Sequence, residues 1–203
     1  PLFAGTSITY EKFSQRIYKS REMKLAFELL ETVLLLEQIY ATSSVDLPIL
    51  AQPKRPKKLL FLDVGLVNYR CGIQAEYLQL ADLNGFYRGR IAEQIVGQQL
   101  LALSSYERLG LFYWAKAKPG ASAEVDFCFV HKGIPVGLEV KSGNSMKLGS
   151  LMAFADAVAG ACLVRVYAGE LTLREEMFNG KKYRILSIPF YLLPEVFRLI
   201  EEV

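Results

Sequence analysis

A chain of 203 residues, 52% hydrophobic and 12% aromatic, has enough apolar surface for a packed core, and its length allows one or two domains. That composition argues against disorder, and no apolar run approaches the ~18 residues of a membrane-spanning helix. The formal net charge of +3 is mild but uneven: residues 1 to 58 hold nine Lys and Arg against six Asp and Glu, while 59 to 203 hold fifteen of each.

The sequence begins Pro1-Leu2-Phe3 without Met, which reads as a trimmed fragment. It shows no charged-then-apolar leader, and the expectation is a soluble, cytoplasmic protein without a membrane partner. Ile8, Phe13 and Ile17 suggest a short helix from Ser7 to Ile17, capped by Thr6 or Ser7. A longer helix is predicted over Arg21 to Gln38, with Leu25, Leu29, Val33 and Leu36 on one face and Glu28, Glu31 and Glu37 outside it. Ile39-Tyr40, a loop and the basic stretch Pro53-Lys54-Arg55-Pro56-Lys57-Lys58 lead to a strand, Leu59 to Leu62. Two helices, then strand, loop and strand, is the order of a winged helix-turn-helix; a small helical packing domain fits the same pattern. Residues 1–58 are therefore expected as a winged-helix-like domain with a basic linker, and 59–203 as a second domain. Lys54, Arg55, Lys57 and Lys58 are its candidate nucleic-acid contacts, through phosphates.

After a weakly patterned region from Asn68 to Leu83, a helix is predicted from Tyr87 to Leu103, with Glu93 among apolar neighbours. A strand over Leu111 to Trp114, a hairpin, a helix over Ser150 to Ala159 and a strand over Cys162 to Tyr167 follow. Tyr183 to Ile188 reads as a further strand, before a terminal helix from Pro194 or Glu195. Cys71, Cys128 and Cys162 are far apart and odd in number, which argues against a disulfide framework or a thiolate zinc site. The single histidine, His131, lies in a turn, a poor place for a nucleophile-activating base.

The hairpin carries the candidate chemistry. Val125, Phe127 and Phe129 alternate on one face, with Val136, Leu138 and Val140 facing the same core. A two-residue turn at Lys132-Gly133 sets Asp126 opposite Glu139 and Glu124 opposite Lys141. Opposed carboxylates have Cβ atoms about 4.5 to 5.5 Å apart and repel. A divalent cation would stabilise such a pair, while an ordinary solvated face with a Glu124–Lys141 ion pair is the plainer reading.

Asp126, twelve intervening residues and then Glu139-Val140-Lys141 resemble the PD-(D/E)XK core of the restriction-endonuclease-like superfamily, with Val125 standing where that motif has Pro. From Tyr87 the predicted order, helix, three strands, helix, strand, is that superfamily's αβββαβ core, a mixed α/β sheet. Leu59 to Leu66, Gly89-Arg90-Ile91-Ala92-Glu93, Tyr113-Trp114, Ala123 to Phe127, Ile134 to Gly143, Ser150 to Phe154 and Ile188 to Leu192 together resemble the carboxy-terminal domain of unknown function on prokaryotic AAA-type ATPases. The resemblance covers nearly the whole chain. It implies an attached amino-terminal ATPase module as partner, which would hold the ATP site, since this sequence has no G-x-x-x-x-G-K-[ST]. It further implies Mg²⁺ on Asp126 and Glu139, Glu93 as a third carboxylate, and Lys141 assisting the attacking water. The expected function is a nuclease-like domain, a Mg²⁺-dependent DNA phosphodiesterase. The alternative is a catalytically inactive nucleic-acid or protein recognition module coupled to the ATPase; a pure protein-interaction domain is a third reading.

Overall fold

The computed structural model describes residues 7–13, 18–72, 88–103, 110–117, 123–141 and 148–203. They form a mixed α/β fold around one eight-stranded sheet. In chain order the elements are α1 (Tyr10–Phe13), α2 (Ser20–Thr32), β1 (Leu36–Thr42), β2 (Lys58–Phe61), α3 (Val64–Cys71) and α4 (Arg88–Leu103). There follow β3 (Phe112–Ala115), β4 (Glu124–His131), β5 (Ile134–Val140), α5 (Gly149–Ala157), β6 (Cys162–Tyr167), β7 (Thr172–Phe178) and β8 (Lys181–Pro189). A 3₁₀ turn (Phe190–Glu195) and α6 (Val196–Glu201) complete the series.

Across the sheet the strands run β2-β1-β3-β4-β5-β6-β8-β7. β1–β3, β5–β6 and β6–β8 are parallel pairs; the other neighbours are antiparallel. Both faces are covered. On one, Ala92, Val96 and Leu100 of α4 and Val196, Leu199 and Ile200 of α6 pack on Phe127, Phe129, Leu138 and Val164. On the other, Leu151, Met152 and Phe154 of α5 pack on Trp114, Val125, Cys128 and Leu163.

The first segment differs from its sequence pattern. The helix expected to Gln38 ends at Thr32, and Leu34 takes a left-handed φ of 59°. The chain then extends as β1, antiparallel to β2 and parallel to β3, so that Leu36, Ile39 and Ala41 are buried. Burial between two strands outweighs the helical periodicity, which is a weak prior. The stripe of α2 is not its buried face: Leu25, Leu29 and Val33 are exposed, and Phe27 is the anchor, packed with Leu36 and Leu59. The sequence boundary drawn after Lys58 falls inside β2, which a ladder joins to β1. The short helix appears as Tyr10–Phe13; its proposed caps and end, at Thr6 and residues 14–17, lie partly outside the described residues.

Two elements had no counterpart in the pattern. Asp63 starts α3, its Oδ1 accepting from the backbone N–H groups of Gly65 at 2.6 Å and Leu66 at 3.3 Å, the bond an N-terminal cap makes. Strand β7 closes a hairpin with β8 through Asn179 (φ 47°) and Gly180 (φ 74°), a pair suited to the positive dihedrals of a tight turn. It is an exposed edge strand, so the alternation that marks a half-buried strand is weak there. No helix among the described residues is long and apolar enough to cross a membrane.

Candidate functional site

The β4–β5 register is the one a Lys132-Gly133 turn dictates: Phe127 faces Leu138, Phe129 faces Val136 and His131 faces Ile134, with φ of 48° at Lys132 and 82° at Gly133. On its other side β4 is bulged. From Phe112 to Trp114 the ladder advances two residues along β3, while its partners Cys128 and Val125 are three apart. The extra residue in β4 lies between Val125 and Cys128, and it reverses the alternation at that point. Val125 accordingly packs in the α5 core, not with Phe127 and Phe129, which corrects the single face read from the sequence. Nor is the opposite face solvated: α5 covers it.

Helix α4 approaches this bulge through Gly97. A Cβ on Gly97 would lie 2.5 Å from Leu60 Cδ1 and 2.9 Å from Phe127 Cζ, so a larger residue would push the helix off β2 and β4. Glu93 stands one turn earlier on the same side of α4. Lys58 precedes Leu60 by two residues and shares its face of β2, and Asp126 adjoins Phe127. Close packing at Gly97 thereby gathers Glu93, Lys58 and Asp126.

Lys58 Nζ sits 2.8 Å from Glu124 Oε1, 3.5 Å from Asp126 Oδ1 and 3.6 Å from Glu93 Oε2, with its side chain only 5% exposed. Asp126 Oδ2 accepts from the backbone N–H of Val140 at 2.8 Å, which ties the start of β4 to the end of β5. Lys141 Nζ donates to Glu139 Oε1 at 2.6 Å. Glu93 Oε2 and Glu139 Oε2 are buried, and neither has a hydrogen-bond partner.

Electrostatics follow from this crowding. Burial, then the Asp126 carboxylate, push Glu93 up to about 7 against the pull of Lys58. Burial and Asp126 likewise push Glu139 up to about 7, opposed by the Lys141 hydrogen bond. For Lys58 burial alone works downward, but Glu93, Asp126 and Glu124 outweigh it and hold the ammonium charged above the ordinary lysine range.

The four residues expected at a catalytic site, Glu93, Asp126, Glu139 and Lys141, are thus gathered around one end of the hairpin. Lys141 pairs with Glu139 on its own strand, so the cross-strand Glu124–Lys141 pair is replaced: Glu124 binds Lys58. The basic stretch does not act as one surface. Lys58 is inside the cluster, Lys57 is buried with Nζ 4.0 Å from the Tyr10 ring centroid and 5.2 Å from that of Tyr40, and Arg55 donates to the carbonyls of Ala115 and Lys116. Lys54 alone of the four is exposed. The sequence places Lys58 among the phosphate contacts and not with the carboxylates, because its charge reads as part of the run around it; the strand pattern that places Leu60 inward also places Lys58 inward.

Among the described residues no three His, Cys, Asp or Glu side chains form a ready metal cage. The two buried oxygens of Glu93 and Glu139 that accept no hydrogen bond are nonetheless hard donors of the kind a divalent cation takes, and the residues fit such an ion on chemistry.

The profile of a domain of unknown function, DUF4143, matches residues 88–191, just over half of the 203. The chain belongs to the DUF4143 family. The DUF4143 segment runs from α4 into the 3₁₀ turn and contains Glu93, Asp126, Glu139 and Lys141, while Lys58 lies before it. No curated protein matches the chain.

Proposed function

We propose that this DUF4143 protein is a restriction-endonuclease-like domain, preceded by a winged-helix-like segment and coupled to an AAA-type ATPase module, and that it cleaves DNA phosphodiesters with Mg²⁺. The observation that carries this reading is the convergence of Glu93, Asp126, Glu139 and Lys141, with two buried carboxylate oxygens that accept no hydrogen bond. Asp126 and Glu139 would hold the ion, with Glu93 adding negative charge from α4. Mg²⁺ supplies Lewis acidity toward a phosphate oxygen and makes water a better nucleophile near neutral pH. Asp126 is already oriented by the Val140 amide, so holding the ion needs little reorganisation of that side chain. Lys141, tethered to Glu139, orients water or takes its proton.

A second reading is favoured by Lys58. Its ammonium already pairs with Glu93, Asp126 and Glu124 and offsets part of their charge, as expected if the cluster is structural and the domain recognises nucleic acid or protein for the ATPase without cutting. The test is Mn²⁺ titration of the wild type and Asp126→Ala, followed by incubation of both with plasmid and single-stranded DNA. Binding and cleavage lost in Asp126→Ala support the nuclease. Binding without cleavage selects the recognition module, and equal binding by both proteins removes the site.

A further inference from the structure

We infer that Lys58 is the resident counter-cation of the carboxylate cluster, and that a divalent ion can occupy the site only by displacing its ammonium. The inference rests on the metal reading above and adds a device to it: a site that its own chain holds closed.

Three distances carry it. The ammonium has three N–H donors and meets three carboxylates, at 2.8 Å on Glu124, 3.5 Å on Asp126 and 3.6 Å on Glu93. A lysine head so buried is kept there by its partners, because an unpaired ammonium returns to water. Magnesium and manganese bind oxygen at roughly 2 Å, so an ion on Asp126 Oδ1 or Glu93 Oε2 would lie within about 6 Å of an undisplaced Nζ. Two cations that close in a partly dry site repel strongly, and the smaller, doubly charged one gains more from the carboxylates. Lys58 also has somewhere to go. Glu124, its nearest partner, is 40% exposed, so the ammonium can follow that carboxylate toward solvent. The ring of Tyr113, whose centroid is 5.2 Å from Nζ, flanks the head group.

Sequence position fits the role. Lys58 enters from β2, outside the DUF4143 match, whereas Glu93 and Asp126 lie inside it. The counter-cation is thus supplied by a different part of the chain from the carboxylates it closes.

The test uses the full chain with Mn²⁺ as probe, read by electron paramagnetic resonance of the free ion. Lys58→Met should bind Mn²⁺ on the order of tenfold more tightly than wild type, the effect of removing one positive charge beside a divalent ion. Adding Asp126→Ala should abolish the gain. Because Lys58→Met leaves three carboxylates unpaired and can fail to fold, the wild type is also labelled with an amine-acylating reagent, with and without Mn²⁺, and Lys58 is quantified by peptide mass spectrometry. Labelling of Lys58 should rise several-fold with Mn²⁺ as it moves to solvent, while that of the exposed Lys54 stays constant. Equal Mn²⁺ affinity in wild type and Lys58→Met overturns the inference and leaves the metal site standing, as does Mn²⁺ binding to wild type without a rise in Lys58 labelling. No Mn²⁺ binding by either protein overturns both the inference and the metal reading.

Discussion

The side-chain amide of Gln94 makes both hydrogen bonds to the backbone of Phe61: Oε1 accepts from its N–H at 2.9 Å and Nε2 donates to its carbonyl at 2.7 Å. β2 is an edge strand, and this fully buried glutamine satisfies backbone groups there that lack a second strand. The contact also clamps α4 to β2 one residue beyond Glu93. Gln94→Ala should therefore cost about 2 to 4 kcal/mol, since it strands two buried backbone groups. Urea denaturation measures this, and a midpoint unchanged from wild type would mean that water takes the amide's place.

Gly97 offers a second check on how α4 is seated. Alanine is intrinsically better in a helix by roughly 1 kcal/mol. Against that, a Cβ would come within 3.0 Å of Leu60 Cδ1, Leu60 Cδ2 and Phe127 Cζ, and overpacking of this kind costs about 1 to 3 kcal/mol. Gly97→Ala should be net destabilising, and its penalty should shrink in a Leu60→Ala background. A double-mutant cycle showing simple additivity would count against this contact.

The raised carboxylates predict an unusual slope of stability with pH. A group whose folded pKa lies above its unfolded value holds more protons when folded, so its contribution is full at low pH and is lost as pH rises from about 4.5 through about 7. For one such group the loss is on the order of 3 kcal/mol, and Glu93 and Glu139 share Asp126 as a neighbour, so their losses do not simply add. Wild type should melt lower at about pH 8 than at about pH 6, and Glu139→Gln should flatten that difference. A melting temperature that climbs across this range equally in both proteins would contradict the assignment.

Burial divides the basic stretch into structural and surface charges. Lys57→Met removes an ammonium from the Tyr10 and Tyr40 rings and should lower stability by about 1 kcal/mol. Lys54→Gln should leave the urea midpoint where it is, because that side chain is exposed. Any DNA affinity that fell in Lys57→Met at unchanged stability would place Lys57 on the binding surface instead.

Sequence alone determined the parts governed by local geometry. Lys132-Gly133 set the hairpin register, because a two-residue turn with positive φ leaves one pairing for the strands it joins. Cys162–Tyr167 and the long helix ending at Leu103 were legible from periodicity, while Glu93, Asp126, Glu139 and Lys141 could be named together only through the family resemblance. Asn179-Gly180 carried an equally local signal for β7 and β8, since that dipeptide favours the same kind of turn.

Tertiary structure decided what depends on distant partners. A bulge against β3 sent Val125 to the opposite core from Phe127, which no alternation within β4 reveals. Leu36 to Thr42 became a strand because β2 and β3 were there to pair with it, although its residues also continue a helical stripe. Lys58 joined the carboxylates for the same reason. Its charge belongs to a basic run in the sequence, but the packing of Gly97 on Leu60 and Phe127 fixes where β2 lies relative to Glu93 and Asp126, and burial then sets the ammonium against the carboxylates beside the Tyr113 ring.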